Sequence, residues 1–464
     1  MASVEHPAVA KLRADGAGAP AVQAFTRAVD RIAAGETGLI TERELDPVTE
    51  LPDAEALPPA APDAVAAALD RAVVIKLNGG LGTSMGLTGP KALLEVKEGR
   101  TFLDLIAEQV LHLRARTGAR LPLVLMHSFA TREPSLAALA AHPGIAEQDV
   151  PQDFLQGRVP KLRAEDLEPA EHAPDPALEW APPGHGDLYA SLVSSGMLAA
   201  LLDAGYRHAF VSNADNLGAV LDPELLAWFV AEKTPFLMEV ADRAPADRKG
   251  GHLARRRDGG GLVLRELAQA PDADLGSFQD TGRHRFFNTN SLWIDLPALE
   301  EALRVSGGAL DLPLIVNRKT VDPKDPDSTP VLQLESAMGA AIDVWPGAEA
   351  IRVPRARYAP VKTTNDLLAV RSDAFEVTED HRVTLAAGRD GAPPLIDLDA
   401  EHYKLLGAFE ERFAAGAPSL VGCDTLEVVG DVGFGAGVVV EGRVRVVHEG
   451  PGRREIADGS QLHG

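Results

Sequence analysis

The chain has 464 residues, is 45% hydrophobic, and carries 45 basic and 68 acidic side chains for a formal charge of −23. This length suggests about three domains. The acidic balance argues against general binding to nucleic acid or to an anionic membrane, so an anionic ligand would need a local basic pocket or a metal ion. The single cysteine, Cys423, excludes an intrachain disulfide and fits a reducing compartment. We find no apolar run of about 18 residues and no secretory leader, so we expect a cytoplasmic protein.

The first 70 residues are rich in Ala, Pro and Asp and predict a helical and linker region, 1–70. Apolar side chains at helical spacing predict an amphipathic helix over Pro20–Ala34. The proline-rich stretch Leu51–Pro62 predicts a linker that flanks the main domain.

Strands and helices alternate from residue 71 to about 375, which we assign to one main domain, 71–375. The predicted strands are Val73–Leu77, Leu121–Met126, Ala209–Ser212 and Phe236–Val240. The predicted helices are Thr101–Arg116, Leu188–Leu202, Glu224–Glu232 and Leu332–Ile342, and a hairpin is predicted over His252–Leu267. This order predicts an α/β fold, with a parallel or mixed sheet and helices on both faces. Ligands of such sheets bind beyond the carboxyl ends of the strands.

The remaining segment, 376–464, has a different texture. Glu427–Val447 alternates apolar and small residues, with glycines spaced through it. The pattern is typical of a small β-solenoid, and it equally fits an antiparallel sheet, so both interpretations stay open.

A glycine-rich loop directly follows the strand Val73–Leu77 and ends at Lys91. Its glycines are Gly79, Gly80, Gly82, Gly86 and Gly89. Without Cβ atoms, such a loop lets backbone N–H groups approach a phosphate chain, and Lys91 adds a positive charge. The spacing fits neither the P-loop nor the dinucleotide fingerprint. The plain alternative is an ordinary flexible loop.

Asp215 comes directly after the predicted strand Ala209–Ser212, in Asn213-Ala-Asp-Asn216. A carboxylate at this position suits magnesium, which prefers oxygen ligands and offsets the charge of a polyphosphate. Its alternative role is a turn or a helix cap. Because Asn78 also follows a strand, the two residues are expected to share one crevice.

A rigid loop with proline and glycine, Pro182–Tyr189, opens the next helix. His185 stands between two glycines, which favours exposure to the crevice and donation to a sugar hydroxyl or a phosphate. A structural histidine is the alternative. Asp187 is predicted to be the helix N-cap.

Five further polar side chains are weaker candidates. Asn288 and Asn290 alternate on a predicted strand and would point to one face, where amides suit sugar hydroxyls. Lys362 lies near turn residues, and Gln156 offers an amide for a base edge. Glu335 is a sugar contact, a cap or a surface charge.

Six motifs in order make the chain resemble the eukaryotic-type UTP–glucose-1-phosphate uridylyltransferases, also called UDP-glucose pyrophosphorylases. They are Lys76–Gly86, Gly89–Lys91, Gly184–Ala190, Asn213–Gly218, Phe287–Trp293 and Pro360–Thr364. The resemblance implies a nucleotide-diphospho-sugar transferase fold of the GT-A type, which is Rossmann-like, followed by a left-handed parallel β-helix.

The resemblance also implies site residues. Lys91, Lys362 and Asp215 would be catalytic, and Asp215 would bind Mg²⁺. The nucleotide would be bound by Leu77, Asn78, Gly79, Gly80, Gly82, Lys91, Gln156, Gly184, Asn213 and Lys362. The sugar phosphate would meet His185, Asn213, Asn288, Asn290 and Glu335.

The implied reaction transfers the uridylyl group of UTP to glucose 1-phosphate and yields UDP-glucose and pyrophosphate, without nucleic-acid or membrane partners. A homo-oligomer stays open. The alternatives are a pyrophosphorylase for another UDP-sugar or UDP-N-acetylglucosamine, a nucleotide-sugar sensor without turnover, and a scaffold that assembles through 376–464. Two departures, Ala214 and Met338, leave sugar selectivity open. Ser84, where other pyrophosphorylase families tend to carry arginine, favours the glucose family over the N-acetylglucosamine family.

Overall fold

The computed structural model describes residues 5–244, 247–389 and 392–464. These residues contain 25 strands, ten of which form a central mixed sheet. The strands are β1 (Leu45–Pro47), β2 (Ala72–Asn78), β3 (Glu95–Lys97), β4 (Arg100–Thr101), β5 (Leu123–His127), β6 (Asp153–Leu155), β7 (Val159–Pro160), β8 (Leu162–Arg163), β9 (Trp180–Ala181), β10 (His208–Asn213), β11 (Phe236–Asp242), β12 (His252–Arg256), β13 (Leu262–Arg265), β14 (Phe286–Asp295), β15 (Leu314–Thr320), β16 (Pro330–Ser336), β17 (Glu349–Arg352), β18 (Phe375–Val377), β19 (Val383–Leu385), β20 (Leu395–Leu398), β21 (Cys423–Val429), β22 (Val432–Phe434), β23 (Val439–Val447), β24 (Arg454–Ile456) and β25 (Gln461–His463).

The helices cover the sheet and connect its strands. They are α1 (Pro7–Ala14), α2 (Ala19–Ala33), α3 (Pro62–Leu69), α4 (Phe102–Thr117), α5 (Arg132–Leu139), α6 (Leu188–Ser194), α7 (Met197–Asp203), α8 (Pro223–Glu232), α9 (Leu275–Phe278), α10 (Leu296–Val305), α11 (Ala341–Val344), α12 (Thr364–Arg371), α13 (Ala400–Tyr403) and α14 (Leu406–Arg412).

The main path of the sheet runs β1–β12–β14–β10–β2–β5–β6. Strands β10, β2, β5 and β6 pair in parallel, whereas β14 runs antiparallel to β10. Along β2, Val73 and Ile75 pack into one apolar cluster and Val74 into another, because successive side chains of a strand point to opposite faces. The predicted mixed sheet with helices on both faces is confirmed.

Local signals explain where the helices begin and end. Thr101 and Asp104 form the predicted capping box of α4. The single helix predicted over Leu188–Leu202 is two helices, because Gly196 between α6 and α7 adopts a left-handed φ of 77°. The helix predicted over Leu332–Ile342 was wrong, since its first half is β16, which pairs with β15.

The N-terminal region is built into the central sheet as well as packed on it. Strand β1 pairs with β12, and α2 confirms the predicted amphipathic helix. The predicted linker Leu51–Pro62 is held by Asp53, which pairs with Arg352 through both carboxylate oxygens.

Parallel strands make up the C-terminal segment. Strands β20, β21, β23 and β25 pair in parallel in that order, and β22 pairs in parallel with β24. This pairing overturns the antiparallel alternative. One apolar cluster contains both Val74 of the main sheet and Leu426 of the C-terminal strands, so the core is continuous across the two regions. In the described part of the chain, no helix has the length and apolar character that a membrane span needs.

Candidate active site

An open crevice of about 340 Å³ lies beyond the carboxyl ends of β2 and β10. It is lined by Leu77, Asn78, Gly79, Gly80, Lys91, Ala92, Met126, Gln156, Pro182, Gly184, His185, Asn213, Ala214 and Asp215. Strands β2 and β10 are neighbours that end together, with Leu77 opposite Asn213. The expectation that Asn78 and Asp215 share one crevice is therefore confirmed.

The glycine loop is shaped for close backbone approach. A Cβ on Gly79 would lie 2.7 Å from Oε1 of Gln156, so the absence of a side chain lets Gln156 close that wall of the crevice. Gly82 adopts a left-handed φ of 63°. The loop is tied to Lys91, whose backbone N–H donates to the carbonyl of Gly80 at 3.0 Å.

The Asn78 side chain holds the start of this loop in place. Its Nδ2 donates to Ser135 Oγ at 2.9 Å and lies 3.3 Å from His127 Nδ1. Burial lowers the pKa of His127 to about 4, which keeps that ring neutral. The Asn78 amide is thus engaged with the protein, and its backbone is the part that the crevice offers to a ligand.

Lys91 and Asp215 meet across the crevice. The Lys91 Nζ donates to Asp215 Oδ2 at 2.5 Å, although 124 residues separate them in the chain. The two side chains keep 13% and 28% of their surface exposed. A partly exposed ion pair can exchange its internal contact for contacts with an anion or a cation.

Lys362 belongs to the same charged group. The backbone N–H of its neighbour Val361 donates to the carbonyl of Asp215 at 3.2 Å, and Lys362 Nζ donates to the Tyr358 hydroxyl at 3.0 Å. Burial lowers the pKa of Lys362, but Tyr358, Asp215 and Asp366 outweigh it and leave the pKa raised. Lys91 is therefore paired with Asp215, whereas Lys362 contacts Tyr358 and feels the charge of Asp215 without an ion pair to it in the described structure.

The loop before α6 requires glycine and fixes a neutral histidine. Gly184 has a φ of 79°, and a Cβ there would lie 2.3 Å from the carbonyl oxygen of Ser336. His185 Nδ1 accepts from the backbone N–H of Met338 at 3.0 Å. Burial lowers the pKa of His185 to about 4. In this neutral tautomer the proton is on Nε2, which is then a donor for a ligand oxygen in the crevice.

Asp187 differs from its predicted role as a helix cap. It stands at the N-cap position, but its Oδ2 accepts from the backbone N–H of Gly157 and from Ser191 Oγ, both at 2.6 Å. Burial raises its pKa. Asp187 therefore ties the loop that carries Gln156 to the loop that carries His185.

Asn288 and Asn290 contact each other rather than lying side by side on a regular strand. The pairing of β11 with β14 shifts between Glu239 and Val240, and Asn290 adopts a left-handed φ of 57°. Asn288 Nδ2 donates to Asn290 Oδ1 at 2.8 Å. The two amides form one unit beside Gly339, where a Cβ would lie 2.9 Å from Asn288 Nδ2.

The known proteins that resemble this chain decide its family. The model of the family described as UTP–glucose-1-phosphate uridylyltransferase matches residues 22–441. The chain belongs to this family. The enzyme of that name from Solanum tuberosum is 41% identical over 396 residues, which cover 85% of this chain and 80% of that protein. Its namesake from Pyrus pyrifolia is 38% identical over 473 residues, covering 100% and 98% of the two chains.

Solved structures extend the likeness within the uridylyltransferase family. A mutant of the UDP-glucose pyrophosphorylase of Leishmania major in complex with UDP-glucose gives a TM-score of 0.93 at 45% identity, over 99% of both chains. A UDP-glucose phosphorylase from Trypanosoma brucei gives 0.89 at 46% identity, over 98% of this chain and 97% of that one. These relations confirm the resemblance seen in the six motifs, all of which fall inside the matched residues.

One carboxylate near the crevice escaped the sequence analysis. Glu266 follows β13 and lies against Gly251, where a Cβ would be 2.5 Å from Glu266 Oε2. Burial raises the pKa of Glu266 to about 7, and nearby Lys362 lowers it in part. The adjoining Gly251 carbonyl accepts from the backbone N–H of Asn288. A carboxylate directly after a strand was the available signal, as at Asp215.

Glu335 packs behind the Gly184 loop, where a Cβ on Gly184 would lie 3.1 Å from Glu335 Cβ. It is on β16 instead of a helix, and its Oε1 accepts from Asn317 Nδ2 at 2.9 Å. It lines a cavity beside α2, on the other side of the Gly184 loop. Burial raises its pKa. We therefore leave Glu335 out of the sugar contacts proposed below.

Proposed function

We propose that this chain transfers the uridylyl group of UTP to glucose 1-phosphate and forms UDP-glucose and pyrophosphate. The observation that carries the proposal is the charged group at the crevice, in which Asp215 contacts Lys91 and raises the pKa of Lys362. Two ammonium groups beside a glycine-rich loop suit a triphosphate and a sugar phosphate that must approach each other.

The nucleotide would lie along the β2 side of the crevice. Its contacts would come from Leu77, Asn78, Gly79, Gly80, Gly82, Lys91, Gln156, Gly184, Asn213 and Lys362. Gln156 supports this orientation because its amide packs on Gly79 at the crevice wall, where it can pair with the edge of a base.

The sugar phosphate would lie towards the loop of His185. His185 offers an Nε2–H donor, and Asn213, Asn288 and Asn290 offer amides. Glu266 joins this set as an addition from the structure, since it is half-buried beside Lys362.

The reaction needs positioning more than proton transfer. A phosphate monoester has a second pKa of about 6, so glucose 1-phosphate is mostly a dianion near neutral pH and needs no general base. Its phosphate oxygen forms a bond to the α-phosphorus of UTP while the bond from that phosphorus to the bridging oxygen breaks. Pyrophosphate leaves with the electron pair. Lys91 and Lys362 would stabilise the charge that spreads over the phosphoryl oxygens.

Asp215 would supply one carboxylate ligand to a magnesium ion. Among the described residues there is no group of three or more His, Cys, Asp or Glu side chains that would hold a metal without substrate. Magnesium commonly binds through one or two carboxylates together with substrate phosphates, which matches this arrangement. When bound, the ion supplies positive charge to the phosphates.

A pyrophosphate-release assay tests the proposal. UTP is supplied with the 1-phosphates of glucose, galactose or N-acetylglucosamine, with magnesium and with a chelator. We expect turnover with glucose 1-phosphate that the chelator abolishes. No release with glucose 1-phosphate would refute the proposal, and tight binding of UDP-glucose without turnover would establish a sensor.

We also propose the domain division 1–70, 71–375 and 376–464, with a short left-handed β-helix in the last. The C-terminal strands support the helix, because Leu426 pairs in parallel with Val444 and Val432 with Arg454. These spacings correspond to one coil of about 20 residues. The cytoplasmic location remains a prediction.

A further inference from the structure

The segment that carries Asp215 and the segment that carries Lys362 are joined along their backbones. Asn216 and Pro360 form an antiparallel bridge. The Leu217 N–H donates to the Ala359 carbonyl at 3.2 Å, next to the bond from Val361 to Asp215. The two segments thus run side by side, and they carry Asp215 and Lys362.

The Asn216 side chain fastens this junction. Its Oδ1 accepts from the backbone N–H of Ala359 at 2.9 Å and from that of Gly218 at 3.1 Å, and its Nδ2 donates to the carbonyl of Arg357 at 3.3 Å. Asn216 is 6% exposed and does not line the crevice. Both ends of the amide are therefore used within the protein, and two of its three bonds cross to the other segment.

Buried polar groups hold both segments through hydrogen bonds to their backbone and side chains. Arg357 forms two hydrogen bonds to the fully buried Glu239, at 2.8 and 2.6 Å. Lys76 Nζ donates to the carbonyl of Ala219, at the end of the Asp215 segment, and to Ser212 Oγ. A displacement of either segment would leave buried polar groups unpaired, which costs free energy.

The backbones approach so closely that the junction tolerates no side chain at one position. A Cβ on Gly218 would lie 2.4 Å from the carbonyl oxygen of Ala356. The glycine lets the two segments meet at the distance that the Asn216 bonds require.

We propose that Asn216 is a positioning residue, which sets the alignment of Lys362 with Asp215 without touching substrate. This inference rests on the proposed function for its effect on catalysis. It predicts that removal of the amide releases the Lys362 segment, so that Lys362 no longer acts together with Asp215.

A double-mutant cycle measures this coupling. In the wild type, Lys362→Ala should lower kcat by about 10²–10³-fold, which is typical of one electrostatic contact. In an Asn216→Ala background the same change should cost about 10-fold or less, since much of the contribution is already lost. Equal costs in both backgrounds would overturn the inference, because a merely destabilised protein loses active molecules and leaves that ratio unchanged.

Two further variants make the cycle robust. Gly218→Ala forces the same segments apart by steric contact and should reproduce the result if Asn216→Ala does not fold. Asn365→Ala is the matched control, since its amide also bridges two segments but accepts from Leu398 in the C-terminal region. It should leave the cost of Lys362→Ala unchanged.

An NMR titration of Lys362 tests the inference without any measurement of turnover. The Lys362→Arg variant assigns the resonance. Asn216→Ala should lower the pKa of Lys362, because Asp215 moves away while Tyr358 and Asp366 stay on the same segment. An unchanged pKa would overturn the inference. If the wild type releases no pyrophosphate, the proposed function fails, and this titration still decides the role of Asn216.

Discussion

Two clusters of charged side chains differ in their exposure to solvent. The crevice cluster is Lys91, Asp215 and Lys362, and the buried cluster is Lys76, Glu239 and Arg357. The ion pairs are almost equally short, 2.5 Å for Lys91 with Asp215 and 2.6 Å for Arg357 with Glu239.

The clusters differ in how fully their hydrogen-bonding capacity is used. Glu239 accepts two bonds from Arg357 and one from Trp293 Nε1, and it is 0% exposed. Within the described residues, Lys91 Nζ makes only the bond to Asp215, so its other donors are free for phosphate. Distance alone therefore does not separate an ion pair with all its partners inside the protein from one that can still bind a ligand, whereas the unused donors do.

The largest expected effect is on stability, at the buried cluster. Glu239→Gln leaves the Arg357 charge buried without its partner, which should lower the free energy of unfolding by about 3–5 kcal/mol. Chemical denaturation measures this. The matched control is Glu301→Gln, which breaks a similar pair with Arg304 on the surface and should leave stability unchanged within error. Equal effects of both variants would refute the comparison.

Next in size are the effects at the crevice cluster. Lys91→Ala and Lys362→Ala should each lower kcat by about 10²–10³-fold with little loss of stability. Steady-state kinetics and thermal unfolding measure both quantities. Lys324→Ala, at an exposed position, is the control. Lys97 would be an unsuitable control, because its Nζ donates to the buried carbonyl of Ser372 and its removal would also lower stability. Similar small losses at all three positions would contradict the assignment of the lysines.

The β2 wall of the crevice was predictable from sequence, because its residues follow strand ends in continuous motifs. The shared position of Asn78 and Asp215 needed only the rule that parallel strands end at one edge. Lys91 came from the glycine-rich motif, and Gln156 was only a weak candidate. The structure brings the loop and Asp215 together as that rule requires.

The surroundings proposed for the sugar phosphate were less predictable, because they depend on contacts between distant segments. The position of Glu266 directly after a strand marks it as a candidate, but its closeness to Lys362 depends on the packing of the hairpin, which the sequence does not show. The bulge that turns Asn290 against Asn288 likewise breaks the alternation on which the prediction relied. At Glu335, an alternating run that belongs to β16 was interpreted as a helix.

A third prediction concerns the pH dependence of the buried cluster. Burial, aided by Arg357, lowers the pKa of Lys76 to about 7 from its ordinary value of 10.5. Between these values the unfolded chain binds a proton that the folded chain lacks, so Lys76 makes stability rise with pH in this window.

Comparison with Lys76→Met isolates the effect. The wild type should gain about 1.4 kcal/mol per pH unit relative to the variant between pH 7 and 10. Urea denaturation of both proteins at pH 7 and 9 measures the difference. If the free energy of unfolding of the two proteins changes equally with pH, Lys76 stays protonated in the folded protein.

The smallest expected effect is at His185. His185→Asn should raise the KM for glucose 1-phosphate by about 3–10-fold, the value of one neutral hydrogen bond. Because the pKa of His185 is lowered to about 4, the ratio of wild-type to variant kcat/KM should stay constant from pH 5.5 to 8. A ratio that changes through pH 6.5 would mean that His185 acts as a cation.

A crystal structure with bound UDP-glucose tests the central claim most directly. We expect the diphosphate within hydrogen-bonding distance of both Lys91 and Lys362, with uracil at Gln156 and glucose towards His185. UDP-glucose bound elsewhere, or phosphates out of reach of both amines, would contradict the account.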